Sequence, residues 1–198
     1  MTGEEYLRNT LKKNLMDPAI GKIDFSCCGI HVSASELQSV YWALNAYQLS
    51  IEIHRSQPRD YAFYYYQTDT FKFQRSDFGS TDRKEKALTV HECIHAMLDL
   101  LRLRFFRTSA GETVAYLTQA LFIKYSGAEI PDDDDPILVA AREVAKTMWD
   151  RPGATVDATA LENVIKNDPD YKKEIAVTNN VRNYDGLNIL NAKGKGPP

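Results

Sequence analysis

The chain has 198 residues and carries 24 Lys and Arg against 27 Asp and Glu, which gives a net charge of −3. A globular chain of this length can bury a substantial core, so it needs neither disulfides nor a structural metal for folding. The content of 43% hydrophobic and 26% charged residues excludes a wholly disordered protein. Because the charge is nearly balanced and slightly acidic, we expect no nucleic acid and no membrane among its partners.

The cysteines and the N-terminal residues bear on the compartment. Cys27, Cys28 and Cys93 are too few for a disulfide framework and suit a reducing environment. The first residues are acidic and lead into no apolar run, which argues against a cleavable signal peptide. The sequence has no stretch of about 20 apolar residues that could span a membrane. We therefore expect a cytoplasmic protein, or one exported without a cleavable signal peptide.

Helical spacing dominates the start of the chain. Residues 1–16 predict a short helix. Ser35 and Gln38 form a candidate capping box, and apolar residues then recur at helical spacing, which predicts a helix over residues 35–54. Residues 61–75 change to aromatic and alternating residues around a polar turn, and this pattern predicts a β-hairpin.

The second half of the chain is helical again. Residues 83–124 predict a pair of helices, because apolar residues return to a helical period. The acidic run 132–135 lacks the alternating spacing of a calcium loop and is interpreted as a solvated turn, with Asp135 capping the next helix. Further helices are expected within residues 136–168.

The order of these elements predicts the architecture. We expect one domain over residues 1–178, followed by a polar and partly loose tail over residues 179–198. The fold class is α+β: a mostly helical domain with a small antiparallel β-sheet packed on the first helix of the predicted pair.

That helix carries the segment His91-Glu92-Cys93-Ile94-His95, an H-E-x-x-H motif. Residues four positions apart lie one turn above each other, so both imidazoles can reach a single metal ion. Glu92 lies beside them, where a carboxylate can accept a proton from a metal-bound water. The motif therefore indicates His91 and His95 as metal ligands and Glu92 as a general base.

A surface pair of histidines with a solvated glutamate is the alternative interpretation of this segment. It predicts charged neighbours, whereas the flanking residues are uncharged: Ala87, Leu88, Val90, Ala96 and Met97. Such flanks are typical of a helix whose other faces pack in the interior. The sequence favours a buried site.

A catalytic zinc usually takes three protein ligands and keeps one position for water. Asp99 lies one turn beyond His95, but a straight helix keeps its carboxylate away from a metal bound at the two histidines. A supporting hydrogen bond near the site suits Asp99 better. Glu112 begins the next helix, after a segment that can reverse the chain, and the small Ala115 allows close approach of the helices. Glu112 is the candidate third ligand.

H-E-x-x-H followed by a glutamate on the next helix, with a small residue three positions later, resembles the gluzincin group of zinc metallopeptidases. The resemblance covers residues 87–122, roughly a fifth of the chain. It implies a zincin-like fold, in which a small sheet lies over the active-site helix and further helices close the cleft. It also implies His91, His95 and Glu112 as ligands of Zn²⁺ and Glu92 as the general base.

The sequence departs from that group at one position. Larger members often carry an acidic residue four positions after the ligand glutamate, where this chain has Tyr116. The hydrogen bonds that orient the histidines must then come from elsewhere, and Asp99 is a candidate for that role.

The sequence leaves open which group would stabilise a developing oxyanion. Five candidates are each also typical of core packing or of a surface hydrogen bond: Tyr116, His31, His54, Arg142 and Tyr184. The aromatic residues 61–66 are open to two interpretations, a substrate-binding strand edge or sheet core. Cys93 lies on the side of the helix opposite the histidines and is interpreted as a buried structural thiol.

The sequence thus favours a small zinc-dependent peptidase that acts on a peptide or protein substrate. Two alternatives stay open: a zinc hydrolase of a non-peptide amide or ester, and a zincin-like binding module without activity. An open groove beside a sheet edge would favour a peptide, and a closed pocket would favour a small molecule. The retained Glu92 argues against an inactive module.

Overall fold

The structure, a computed structural model, describes residues 1–56, 61–127 and 135–187 of the chain. This part is mostly helical with small β-sheets, which confirms the α+β class. The helices are α1 (Gly3–Leu15), α2 (Ala34–Asn45), α3 (Arg83–Leu100), α4 (Thr108–Tyr125), α5 (Pro136–Lys146), α6 (Thr159–Asn167) and α7 (Pro169–Thr178). The strands are β1 (Asp24–Cys27), β2 (Ile30–Ser33), β3 (Ser50–Ile53), β4 (Ala62–Tyr65), β5 (Thr70–Phe73), β6 (Phe106–Arg107), β7 (Ala154–Thr155) and β8 (Val181–Arg182). Over the described ranges, no helix is long and apolar enough to cross a lipid bilayer.

Helix α3, which carries the H-E-x-x-H motif, runs through the interior. Asp82 begins it by accepting a hydrogen bond from the N–H of Glu85 (3.0 Å). From Ala87 to Asp99 nearly every residue is buried, because α1, α2, α4 and β4 all pack against the helix. The uncharged residues that flank the motif therefore reflect burial on several sides of the helix.

The predicted hairpin over residues 61–75 is confirmed, since β4 and β5 pair antiparallel with Tyr64 opposite Phe71. The sheet as a whole is mixed and not antiparallel as expected, because β3 joins β5 in the parallel direction. The strand order is β3-β5-β4, which leaves β4 at the edge that packs on α3.

The predicted helix over residues 35–54 is wrong beyond Asn45. Tyr47 adopts a left-handed backbone conformation (φ 56°), which ends the helix, and Ser50–Ile53 form strand β3 instead. Ile51 is buried in the sheet, although its position also suits the helical spacing of the preceding residues. One apolar residue that fits both periods is the reason for the error.

The predicted helix pair over residues 83–124 is present as α3 and α4, which pack against each other. The connection between them contains two residues with left-handed backbone, Arg102 (φ 55°) and Phe105 (φ 59°). These residues end α3 and reverse the chain, so that the start of α4 returns past the motif.

Helix α5 begins as expected. The Asp135 side chain accepts a hydrogen bond from the N–H of Ile137 (2.8 Å), and Pro136 occupies the first turn. The rest of the acidic run, residues 132–134, lies outside the described residues. Helices α5 and α6 fall within residues 136–168, and α7 follows them.

The segment predicted as a polar and partly loose tail is ordered in its first part. Strand β8 pairs antiparallel with β6, and Arg182 and Tyr184 are buried. Arg182 pairs with the buried Glu112 and Tyr184 contacts the buried His95, so the polar composition of this segment did not indicate solvent exposure. Residues 188–198 lie outside the described residues.

Candidate metal centre

His91 and His95 lie one turn apart on α3 and direct their Nε2 atoms toward the same point. The two atoms are 3.3 Å apart. The histidines are 3% and 4% exposed, and Glu92 between them is 5% exposed. These values exclude the alternative of a surface histidine pair with a solvated glutamate.

Glu112, near the start of α4, completes a group of three. Its Oε2 lies 3.4 Å from His91 Nε2, and its Oε1 lies 3.4 Å from His95 Nε2. The ligand atoms of these side chains all lie within 4.8 Å of one another. The structure therefore brings together the three residues that the sequence indicated, and they could hold a metal ion.

The spacing of the two imidazole Nε2 atoms fits a tetrahedral ion. Ligands about 2.0–2.1 Å from a tetrahedral Zn²⁺ lie about 3.3–3.4 Å from each other. The two Nε2 atoms are 3.3 Å apart, in agreement with that value, and each lies 3.4 Å from a different oxygen of Glu112, so the carboxylate is within reach of an ion held by both imidazoles. Two imidazoles with one carboxylate also suit a transition metal better than Ca²⁺ or Mg²⁺, which prefer oxygen ligands.

Each histidine has a partner at its second ring nitrogen. Gln119 Oε1 lies 3.0 Å from His91 Nδ1, and the Tyr184 hydroxyl lies 3.3 Å from His95 Nδ1. Both oxygens can accept a hydrogen bond from Nδ1–H, and in that tautomer the Nε2 lone pairs are directed at the common point. These two partners orient the rings for metal binding.

Arg182 balances the charge of Glu112. Its Nη1 donates to Glu112 Oε1 (2.8 Å), and its guanidinium also pairs with Glu174 on α7. Burial alone would raise the pKa of the Glu112 carboxyl, but His95 and Arg182 outweigh burial and hold that pKa well below its usual range. Glu112 is therefore ionised and available as a ligand.

Two tyrosines lie close to the other oxygen of Glu112. The Tyr171 hydroxyl donates to Glu112 Oε2 (3.0 Å), and the Tyr116 hydroxyl lies 3.0 Å from that of Tyr171. The Tyr116 ring packs edge-on against the His91 ring, with 4.6 Å between centroids. Tyr116 thus supports a histidine by packing, whereas Tyr171 contacts a candidate ligand directly.

Glu92 lies beside the three candidate ligands without belonging to their group. Its Oε2 accepts a hydrogen bond from the backbone N–H of Tyr64 on β4 (2.7 Å). Burial raises the pKa of the Glu92 carboxyl, against the opposing effect of His91 and His95. A carboxylate with a raised pKa beside a metal position is suited to accept a proton.

A cleft of about 350 Å³ opens onto the candidate ligands and Glu92. Strand β4 contributes to one wall and helix α7 to another. Ala62 and Phe63 belong to the β4 wall and Tyr171 to the α7 wall, and Leu88, Tyr116 and Arg182 also line the cleft. The candidate ligands are therefore reachable from solvent through an opening next to a sheet edge.

Asp99 does not orient a histidine as the sequence suggested it could. The Tyr64 hydroxyl donates to its Oδ2 (2.9 Å), and the N–H of Gly186 donates to its Oδ1 (3.1 Å). The expected support of the imidazoles comes instead from Gln119 and Tyr184.

The five candidate oxyanion groups separate into two sets. His31 is exposed and His54 is half-buried, each lies close to a neighbouring carboxylate, and Arg142 lies on α5. Among the described residues, these three do not line the cleft. Tyr116 lines it, and Tyr184 lies behind His95.

The cysteines lie apart from this chemistry. Cys93 is buried, and burial raises the pKa of its thiol, which agrees with a structural role. Cys27 ends β1, and its sulfur lies 3.5 Å from that of Cys28 in the following turn.

Sequence reasoning missed Gln119, Tyr171, Glu174 and Arg182. Gln119 had a usable signal, because it lies seven residues after Glu112 on the same face of a largely apolar helix. The other three have no local signal, since α7 and β8 reach the site only through the tertiary fold.

Comparison with known protein families, with curated proteins and with solved structures gives no match to this chain. A proposal of function therefore rests on the geometry of the site.

Proposed function

We propose that this protein is a zinc-dependent peptidase with a gluzincin-like active site and a zincin-like fold. The observation that carries the proposal is the convergence of His91, His95 and Glu112, whose ligand atoms lie within 4.8 Å of one another, with Glu92 beside them in an open cleft. A structural zinc is closed off by four protein ligands, whereas three ligands beside a cleft leave a position for water.

His91, His95 and Glu112 would hold the zinc. Bound Zn²⁺ acts as a Lewis acid and lowers the pKa of a coordinated water molecule. The protein's own contribution is to present the ligands with little reorganisation, because Gln119 and Tyr184 already fix the two imidazoles.

Glu92 is the proposed general base. The Tyr64 N–H holds Oε2 and thereby fixes the direction of the side chain, leaving Oε1 to accept the proton of the attacking water. Because burial raises its pKa, this carboxylate is a stronger base than an exposed glutamate and can pass the proton on to the leaving amine. A binding module without activity would have no use for a base held in this way.

Tyr171 is the proposed donor to the developing oxyanion. Tyr171 and Arg182 both line the cleft and contact Glu112, through hydrogen bonds of 3.0 Å and 2.8 Å. Negative charge that develops next to the candidate ligands lies within reach of both groups. Arg182 is held by Glu174 as well, whereas the Tyr171 hydroxyl can turn from Glu112 to the substrate.

The edge of β4 that no other described strand covers favours a peptide substrate. The C=O of Tyr61 accepts from the N–H of Gln74 (3.1 Å), so odd-numbered residues here pair with β5 and its extension. The N–H of Tyr64 points the other way, to Glu92. Ala62 lies two residues before Tyr64 on the same strand, so its N–H and C=O point in the same direction, toward the cleft. An extended peptide can add there as a further strand, unlike a small amide or ester.

The test combines zinc content with hydrolysis. Purified protein should contain one zinc per chain by elemental analysis and should cleave members of a peptide library. A chelator should abolish cleavage, and added zinc should restore it. Glu112→Ala should lose most of the zinc and the activity, whereas the control Glu143→Ala, at an exposed position of α5, should keep both. Full zinc occupancy in Glu112→Ala would contradict the ligand assignment, and an inactive zinc-loaded wild type would contradict the peptidase.

A further inference from the structure

Asp99 joins two segments that each deliver groups to the candidate metal centre. It lies on α3 one turn beyond His95 and is 0% exposed. The Tyr64 hydroxyl donates to its Oδ2 (2.9 Å), and the Gly186 N–H donates to its Oδ1 (3.1 Å). Each oxygen of one buried carboxylate is thus bound to a different part of the chain.

The first partner, Tyr64, also holds the general base. Its backbone N–H donates to Glu92 (2.7 Å), while its buried phenol reaches Asp99. Within the described ranges, strand β4 is an edge strand that pairs only with β5. The bond from Tyr64 to Asp99 therefore ties the strand to α3, and with it the N–H that directs Glu92.

The second partner, Gly186, fixes the segment that follows β8. It has a φ of +85°, and a Cβ at this position would come within 2.7 Å of the Arg102 side chain. A residue other than glycine would meet both backbone strain and a steric clash there. Close packing on Arg102 and the bond to Asp99 together specify where this part of the chain lies.

That segment carries the two C-terminal groups of the centre. Strand β8 spans two residues, and residues 183–187 form neither helix nor strand. Arg182 reaches Glu112 from β8, and Tyr184 reaches His95 from the irregular stretch. The bond at Gly186 is therefore an anchor just downstream of both groups.

We propose that Asp99 is a positioning residue. Through Tyr64 it fixes the strand that directs Glu92, and through Gly186 it fixes the segment that carries Arg182 and Tyr184, both relative to the histidines of α3. Its carboxylate bonds to Tyr64 and Gly186, and Asp99 is not among the described residues that line the cleft, so its effect passes through these two partners. The expected effect on catalysis rests on the proposed peptidase function, whereas the effect on the C-terminal segment does not.

Asp99→Asn tests the proposal with nearly unchanged side-chain volume. Asparagine offers one carbonyl oxygen and a donor amide, so it cannot accept both hydrogen bonds in the same way. We expect zinc to stay bound and kcat to fall about 10–100-fold with a smaller change in KM. Amide exchange of Gly186 should become about tenfold faster, as for the loss of one hydrogen bond. Asp82→Asn, at the N-cap of the same helix, is the matched control and should change none of these, because asparagine caps as well as aspartate.

Tyr64→Phe supplies a second variant that removes the hydroxyl and keeps the N–H that holds Glu92. It should lower kcat in the wild type but add little in the Asp99→Asn background, because both changes act on the same bond. Fully multiplicative effects on kcat, or unchanged exchange at Gly186 in Asp99→Asn, would overturn the proposal. Should zinc-loaded wild type prove inactive, the exchange measurement still decides whether Asp99 anchors the segment, and only the proposed function would fail.

Discussion

Arg182 Nη1 lies 2.8 Å from Glu112 Oε1, and this ion pair joins the last strand of the described chain to a candidate metal ligand on α4. Both residues are buried, so solvent screens neither charge. In a buried pair the loss of one partner leaves the other charge without compensation. A metal ion held by Glu112 would supply part of that compensation.

Arg182→Gln should therefore destabilise the metal-free protein by about 3 kcal/mol, because Glu112 stays buried without its counter-charge. The loss should be smaller in zinc-saturated protein. Chemical denaturation of both forms measures the difference. Arg104→Gln, at an exposed arginine, is the control and should leave stability unchanged. An equal loss of stability with and without zinc would mean that the metal does not compensate the charge of Glu112.

Tyr171→Phe should lower kcat by about 10²–10³-fold with zinc content unchanged, the size expected when one oxyanion donor is removed. The ring and its packing remain, so the protein should stay folded. Tyr116→Phe should have a smaller effect, because the Tyr116 hydroxyl contacts Tyr171 and not a candidate ligand. Steady-state kinetics on one cleaved peptide compares the two. A larger effect for Tyr116→Phe would contradict the assignment of Tyr171.

The pH dependence of stability should carry a contribution from Asp99. Burial raises the pKa of this carboxyl to about 6 from an ordinary value of 3.8. The folded protein thus binds this proton more tightly than the unfolded chain does. The resulting contribution to the free energy of unfolding is fully present below the pKa of the unfolded chain and is lost as the pH rises through the pKa of the folded protein. Wild type should lose stability relative to Asp99→Asn between about pH 4 and about pH 6. Urea unfolding across this range measures the difference, and a constant difference would contradict the raised pKa.

The candidate ligands could be predicted from the sequence because their relationship is nearly local. Helical geometry places His91 and His95 on one face whatever the rest of the fold does. Glu112 required only that the next helix return past the first. The same local reasoning recovered the hairpin, whose polar turn separates two aromatic strands.

The rest of the site could not be predicted because it depends on contacts across the fold. Arg182 stands in a polar segment with no periodicity, and only the pairing of β8 with β6 brings it to Glu112. Tyr171 lies on α7, which has no fully buried residue, so no apolar stripe in the sequence indicated which face of this helix packs against the site. Ile51 fitted a helix and a strand equally well, and tertiary pairing with β5 decided between them.

The most direct test of the proposed mechanism is the Glu92→Gln variant, measured for zinc content and for peptide turnover beside wild type. Glutamine keeps the size of the side chain and one oxygen for the Tyr64 N–H, but it cannot act as a base near neutral pH. The proposal predicts a folded protein that keeps its zinc and loses hydrolysis by at least about a hundredfold. Loss of zinc along with activity would mean that Glu92 is a ligand, and full activity would mean that the reaction does not use this carboxylate as its base.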